Sequence, residues 1–222
     1  MDMLATLTEW QQKLPINGFD VALLAILGFG LFRGRKNGMS KEVLPTIEWL
    51  VMVGVCGFGY GMVAPFYKNS WGLSGLLAAI LGYATFAFLV LMLFAGLKNM
   101  LGQRLATSNF FGSSEYFLGM PSGMIRYSCV LLFALAFLNA RTYTVAEVKQ
   151  RQAYNQRWYG GGIFSGDYVP DWHAAQEYVF TDSFSGPYIK NYLSMLLIQT
   201  QPENPGLAKP VVKKTPIIHI GN

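Results

Sequence analysis

The stretch GLFRGRKNGMSKE, residues 30–42, decides how this chain is organised. It places four cations (Arg33, Arg35, Lys36 and Lys41) and three glycines in a short link between two apolar runs. Positive charge concentrated beside an apolar run is typical of the cytoplasmic end of a membrane span. The link therefore predicts a membrane protein and identifies one of its two ends.

The composition agrees with a chain embedded in lipid. Of its 222 residues, 52% are hydrophobic and only 13% are charged, whereas soluble domains carry about 25% charged residues. The net charge of +5 would suit nucleic acid if the cations formed one soluble basic face, but they are spread beside apolar runs. We therefore expect the lipid bilayer to surround this chain, and we expect no nucleic acid as a partner.

Four apolar runs predict an all-α membrane protein with about four transmembrane helices. The runs are Phe19–Phe32, Val43–Ala64, Leu73–Leu97 and Ile125–Leu138. A crossing helix needs about 20 residues, so the middle two runs qualify by length and the outer two are short. Because cations concentrate in the first link and recur in the third, both links are predicted to be cytoplasmic and both termini periplasmic.

The runs also divide the chain into segments. These are an N-terminal interfacial segment 1–18, a four-span membrane domain 19–138, an extramembrane and partly helical region 139–200, and a Pro-rich extended tail 201–222. Within the membrane domain, Lys98–Phe111 has the composition of an amphipathic surface helix. In the third segment, Pro187 with Ser185 upstream predicts the start of a short apolar-striped helix that lies on the membrane or on a partner.

Three charged residues near the predicted span ends are candidates for pairing inside the membrane. Glu48 lies about five residues into the second run, and Arg126 begins the fourth at a similar depth on the same side. An unpaired charge there would cost about 2.5–3.5 kcal/mol on insertion scales. We expect Glu48 to pair with Arg126, with Arg33 as a second cation. The alternatives are snorkelling of both cations to lipid headgroups, or a role in ion or proton conduction.

Glycines at four-residue spacing predict close helix packing, because small residues let helices approach in lipid. The candidates are Gly54, Gly57 and Gly61 in the second run, and Gly119 and Gly123 just before the fourth. The same glycine density also permits a kinked or unwound helix that lines a cavity.

The sequence contains no readable catalytic, cofactor or metal site. His173 and His219 are far apart and have no cysteine or acidic cluster at ligand spacing, which argues against a zinc site. No Ser-His-Asp arrangement is recognisable either. Cys56 and Cys129 lie inside apolar runs, where thiols are usually inert. We therefore expect a protein that is not an enzyme and has no cofactor.

Two motifs in the correct order resemble the colicin V production protein family of bacterial inner-membrane proteins. The first family motif, Gly-x-x-Arg-Gly followed by a small residue and an acid, is matched by Gly30, Arg33, Gly34, Gly38 and Glu42. The second, an acid, Leu-Gly, Gly and a basic residue, is matched by Glu115, Leu118, Gly119, Gly123 and Arg126. Asp20 fits the acid that opens the first span. Glu115 stands where aspartate is commoner, and the chain beyond about Gly160 has no counterpart in the family.

The resemblance implies a four-span fold in the inner membrane and a link to toxin production, without a substrate or a catalytic residue. An accessory or scaffold subunit, attached to other membrane protein subunits through its C-terminal region, is favoured by the short outer runs and a tail able to wrap a partner. A small homo-oligomeric channel or transporter is favoured by Glu48, Arg126 and the glycines of the second run. A membrane enzyme has no residue in its favour.

Overall fold

The computed structural model describes residues 16–107, 112–143 and 172–199, with backbone alone at 101–107 and at 113. Its helices are α1 (Gly18–Asn37), α2 (Met39–Trp71), α3 (Gly75–Thr107), α4 (Glu115–Leu138), α5 (Trp172–Phe180) and α6 (Gly186–Tyr192). Single 3-10 turns precede α4 at Gly112–Ser114 and follow α6 at Ser194–Leu196. These ranges contain no strand, which confirms the predicted all-α membrane fold.

Three of the described helices are long and apolar enough to cross a membrane, not the four predicted. They are α2, the Gly75–Met100 part of α3, and α4. The run Phe19–Phe32 lies in α1, whose ends are charged. Every 18-residue stretch of this 20-residue helix contains at least three charged side chains, drawn from Asp20, Arg33, Arg35 and Lys36. By length and composition the count is therefore three and not the four predicted, although α1 packs along α4 in the same bundle.

Glycines with positive φ separate the first three helices. Gly38 lies between α1 and α2 with φ +76°, and Gly72 ends α2 with φ +63°. This backbone region favours glycine because a Cβ would clash with the neighbouring backbone. Between these two turns α2 stays helical through Pro45, Pro65 and all its glycines, so the unwound alternative for this segment is not observed.

The four long helices alternate in direction. Gly30 and Gly34 of α1 pack against Gly123 and Gly119 of α4 in reverse order, and α2 packs antiparallel to α3. The end of α1, the starts of α2 and α4, and Lys98 near the end of α3 therefore meet. We call this the basic end of the bundle, with its cations Arg33, Arg35, Lys36, Lys41, Lys98 and Arg126. The first and third links thus lie at the same end.

Aromatic and small apolar residues fill the centre of the bundle. Tyr83 is completely buried, and its ring lies 5.4 Å from the rings of both Phe133 and Phe137, measured between centroids. Cys56 and Ala136 are also completely buried. The outward faces carry exposed apolar side chains such as Phe58, Met62, Phe88 and Met92. An apolar surface of this extent is expected where lipid surrounds the helices.

The segment 172–199, which we call the C-terminal clasp, packs on the bundle end opposite to the basic end. Leu197 and Ile198 are buried in the bundle core. Asn139, just after α4, donates its side-chain amide to the Ile198 carbonyl at 2.9 Å, and Gln199 donates its backbone N–H to the Tyr60 hydroxyl at 3.0 Å. The helix predicted from Pro187 is present as α6 but ends at Tyr192, before Leu196 and Leu197 of its predicted apolar stripe, and Leu197 packs on this chain's own bundle.

Two other predictions can be compared with the described residues. The surface helix predicted over Lys98–Phe111 is not a separate element, because α3 continues without interruption to Thr107. The tail 201–222 and nearly all of the N-terminal segment 1–18 lie outside the described residues.

Candidate functional site

A buried polar cluster at the basic end joins α1, α2 and α4. Arg126 Nη1 lies 3.0 Å from Glu42 Oε2, and Asn37 donates its side-chain amide to Glu42 Oε1. Glu42 is only 1% exposed. Beside this pair, Thr46 Oγ1 lies 2.8 Å from Ser122 Oγ and 3.2 Å from the Ser122 carbonyl oxygen. These five residues form what we call the polar cluster.

Helix spacing explains why these side chains meet. Glu42 and Thr46 are four residues apart on α2, and Ser122 and Arg126 are four residues apart on α4, so each pair lies on one helix face. The Arg126 Cα is about 16 Å from the start of α4 at 1.5 Å per residue. Because helical side chains lean toward the N-terminus, its guanidinium reaches back to Glu42 near the basic end.

A second ion pair joins α2 to α3. Glu48 Oε2 lies 2.5 Å from Lys98 Nζ, with the Glu48 side chain 6% exposed and that of Lys98 44% exposed. The Lys98 side chain is half-exposed, whereas the Glu48 carboxylate is buried. The two ion pairs together fix three helices of the bundle to one another at the basic end.

The pairing of Glu48 with Arg126 predicted from the sequence is not made. Glu42 and Glu48 are six residues apart, which on an α-helix places them about 120° from each other around the axis. Glu42 therefore faces α4, and Glu48 faces α3. Arg33 is exposed and forms no ion pair with the described residues. Similar depth in the membrane did not determine which helix each side chain faces.

The glycines of the two family motifs bring α1 and α4 into backbone contact. A Cβ on Gly30 would lie 2.9 Å from the Gly123 carbonyl oxygen, and one on Gly34 would lie 2.9 Å from the Gly119 carbonyl carbon. Real side chains essentially never approach so closely, so these positions accept only glycine without a shift of the helices. At the end of this contact, the Glu115 side chain packs against Gly38.

The predicted packing glycines of α2 have different surroundings. A Cβ on Gly57 would lie 2.8 Å from the Leu196 Cα of the C-terminal clasp. Gly54 and Gly61 have nothing within 4 Å of such a Cβ. The Gly57–Gly61 pair therefore packs no second long helix in the part of the chain that the structure describes.

Asp20 lies at the opposite end and binds the C-terminal clasp. Its carboxylate accepts the backbone N–H groups of Phe184 at 2.9 Å and Ser185 at 3.0 Å, and also the Ser185 hydroxyl. It also accepts the Asn17 N–H within the capping box that opens α1. Burial alone would raise the pKa of Asp20, but these hydrogen bonds outweigh burial and hold it below its ordinary value of 3.8.

Sequence reasoning missed five residues that complete these contacts: Asn37, Thr46, Lys98, Ser122 and Ser185. Thr46 and Ser122 were detectable, because each lies one helical turn from a charged residue already singled out. No local signal connects Ser185 to Asp20, since 165 positions separate them.

The described residues contain no cluster of metal-binding side chains. No set of three His, Cys, Asp or Glu side chains there is arranged to hold an ion. Cys56 and Cys129 are both buried free thiols.

A family model described as colicin V production protein matches residues 19–159. The match includes both motifs and all four long helices. No curated protein and no solved structure matches the chain significantly. Most motif residues lie in the α1–α4 contact and the polar cluster, whereas Asp20 holds the clasp, and Arg33 and Leu118 are exposed.

Proposed function

The chain belongs to the colicin V production protein family, and on that premise we propose that it is a non-enzymatic accessory or scaffold subunit of a larger complex in the bacterial inner membrane. The observation that carries the proposal is the internal pairing of buried charge. Each buried carboxylate of the described chain, Asp20, Glu42 and Glu48, has a partner within the same chain.

This arrangement supports a fixed structural element better than a conduction path. A path for ions or protons needs polar or hydrated groups along its length. Here the polar cluster occupies only the basic end, and closely packed aromatic rings around Tyr83 and Phe137 fill the middle. Buried carboxylates that are each paired within the chain hold helices in one arrangement, which is what a scaffold requires.

We propose that partner subunits bind the outer face of the C-terminal clasp. This face carries large side chains that are each at least 46% exposed: Trp172, Tyr178, Phe184, Tyr188, Tyr192 and Met195. Aromatic residues and methionine are enriched in protein interfaces. The clasp itself is held to the bundle by Asp20 and by Ile198, so it presents this face on a rigid support.

We propose that the basic end faces the cytoplasm and the clasp faces the periplasm, because cations concentrate on the cytoplasmic side of membrane proteins. Asn17 donates its side-chain amide to the Tyr178 carbonyl of the clasp at 2.7 Å, so both ends of the described chain lie at the clasp end. Both termini are accordingly proposed to be periplasmic.

Native mass spectrometry on the protein extracted from its own membranes in mild detergent tests the accessory role. We expect foreign subunits at fixed stoichiometry. The variant Tyr188→Ala/Tyr192→Ala should lose them, whereas Phe66→Ala/Trp71→Ala, which removes two exposed aromatics of α2, should retain them. A homo-oligomer without foreign subunits would contradict the proposal.

Ion flux into liposomes tests the channel alternative. We expect no flux above that of empty liposomes for the wild type or for Glu48→Gln. Flux that Glu48→Gln alters would favour a homo-oligomeric channel instead, since a scaffold residue should change only stability or assembly.

A further inference from the structure

A groove lies between the end of α1 and the start of α4 at the basic end. It has a volume of about 510 Å³ and is lined by Phe32, Arg35, Lys36, Tyr116, Phe117 and Met120. The groove forms because the glycines bring the backbones of α1 and α4 together. Larger side chains on either side of this contact then extend beyond the backbones and form the groove walls. Both walls therefore belong to the helix pair that the glycines of the two motifs bring into backbone contact.

The groove carries positive charge that no described carboxylate neutralises. Arg35 and Lys36 are exposed, and neither forms an ion pair with a described residue. No carboxylate lines the groove. The buried carboxylates at this end are already engaged, Glu42 by Arg126 and Glu48 by Lys98. The two groove cations can thus take a bound anion as their partner.

The rest of the lining is apolar and open to the surroundings. Phe117 is 73% exposed and Phe32 is 68% exposed, and Met120 lies one turn further into α4 than Tyr116. A ligand that satisfies this lining combines a negative headgroup with a hydrocarbon chain. Basic pockets between membrane helices bind anionic headgroups in this way.

We propose that this groove is a binding site for one anionic phospholipid, with its phosphate between Arg35 and Lys36 and an acyl chain along Phe32, Phe117 and Met120. The site requires both features, the two cations and the apolar walls. A free phosphate would use only the cations. General attraction between the basic end and an anionic membrane would use every cation at this end equally.

Native mass spectrometry of the delipidated full-length protein tests the site by titration with phosphatidylglycerol and, separately, with phosphatidylcholine. We expect one phosphatidylglycerol to bind at least tenfold more tightly than phosphatidylcholine. The variant Arg35→Gln/Lys36→Gln should weaken this binding by about 30-fold, because each cation near an anionic lipid contributes roughly 1 kcal/mol. The matched control Arg33→Gln/Lys41→Gln removes two exposed cations outside the groove and should change it less than threefold.

A second variant separates the groove from general charge. Met120→Trp fills the groove and leaves all cations in place, so it should weaken phosphatidylglycerol binding as much as the loss of both groove cations. Equal effects of the two cation pairs, or no effect of Met120→Trp, would overturn the proposal in favour of nonspecific attraction. Displacement of the lipid by millimolar inorganic phosphate would overturn it in favour of a free-anion site. Thermal unfolding of each variant shows whether it is folded.

Discussion

Arg126 neutralises the Glu42 carboxylate, which is almost completely buried, so removing Arg126 should lower the free energy of unfolding substantially. In Arg126→Met, Glu42 would keep only the Asn37 amide as a partner inside the bundle. Removing one partner of a buried pair typically costs about 3–5 kcal/mol. We expect a loss of about 3 kcal/mol, toward the low end because the Arg126 side chain is 25% exposed. Thermal or denaturant unfolding in detergent measures it.

The double variant Glu42→Gln/Arg126→Met identifies the cause of that loss. With no charge left in the polar cluster, most of the stability should return, because replacing both members of a buried pair is often nearly neutral. Arg33→Gln removes an exposed family-motif cation and should change stability by less than about 0.5 kcal/mol. A double variant as unstable as Arg126→Met would show that Arg126 acts through packing and not through Glu42.

The charged residues show how far a sequence alone predicts contacts between side chains. Reasoning from depth selected Arg126 and Glu48 and paired them with each other, whereas the structure places Arg126 beside Glu42 and Glu48 beside Lys98. Partner choice depends on the angular position of each residue around its helix and on which neighbour that face meets. Lys98 falls in the segment predicted as a surface helix, yet α3 carries it to within 2.5 Å of Glu48.

The α1–α4 contact brings two helix backbones together at glycines, and it should tolerate no side chain. In Gly34→Ala the new Cβ would meet the Gly119 backbone, so the helices must separate. Overpacking of this kind costs about 1–3 kcal/mol. Gly54→Ala is the matched control, because nothing lies within 4 Å of its Cβ and alanine favours a helix by up to about 1 kcal/mol.

Unfolding midpoints in detergent compare the two substitutions. A large decrease for Gly34→Ala with an unchanged or higher midpoint for Gly54→Ala is the expected result. If both variants unfold at the wild-type midpoint, the two helices are not held by backbone contact.

The elements that the sequence predicted well are those with uniform apolar composition. The run Val43–Ala64 lies inside α2, and Leu73–Leu97 lies inside α3 apart from its first two residues; both helices have 33 residues. The fourth run began too late, because α4 starts at Glu115 and its first turns contain Gly119, Pro121 and Gly123. In water such residues indicate a loop, whereas here the two glycines are the contact surface for α1.

Asp20 links α1 to the start of α6, and this link should weaken in acid. Its folded pKa lies below 3.8, so the carboxylate stabilises the clasp fully above about pH 4. This contribution is lost as the pH falls below 3.8 and through the folded pKa. We expect the protection of the Phe184 and Ser185 amides against hydrogen exchange, corrected for intrinsic rates, to fall between pH 5 and pH 3.

The control for this pH effect is an exposed carboxylate of the clasp itself. Asp20→Asn should lower the protection of both amides at pH 5 and remove most of the change between pH 5 and pH 3. Asp182→Asn alters an exposed side chain and should leave the wild-type profile. Protection that is independent of pH in the wild type would mean that the hydrogen bonds of Asp20 do not hold the clasp.

The whole molecule has two chemically different ends. The basic end contains the paired buried charges and the lipid groove, and the clasp end presents exposed aromatic residues on a segment bound to Asp20. Gly57, where the clasp packs, lies 18 residues beyond Met39 on α2, or about 27 Å at 1.5 Å per residue. This separation is close to the thickness of about 30 Å of a bilayer's hydrocarbon core, so the two ends should lie on opposite sides of the membrane.

Cysteine labelling in cells tests this separation and its direction together. Cys56 and Cys129 are 0% and 6% exposed, so the wild type should not react with a membrane-impermeant maleimide and serves as the blank. Asp182→Cys, at an exposed clasp position outside the proposed partner face, should react in intact spheroplasts of a Gram-negative host. Lys41→Cys at the basic end should react only after the inner membrane is permeabilised. The reverse pattern would invert the proposed orientation, and reaction of both sites in intact spheroplasts would contradict a bundle whose ends face different compartments.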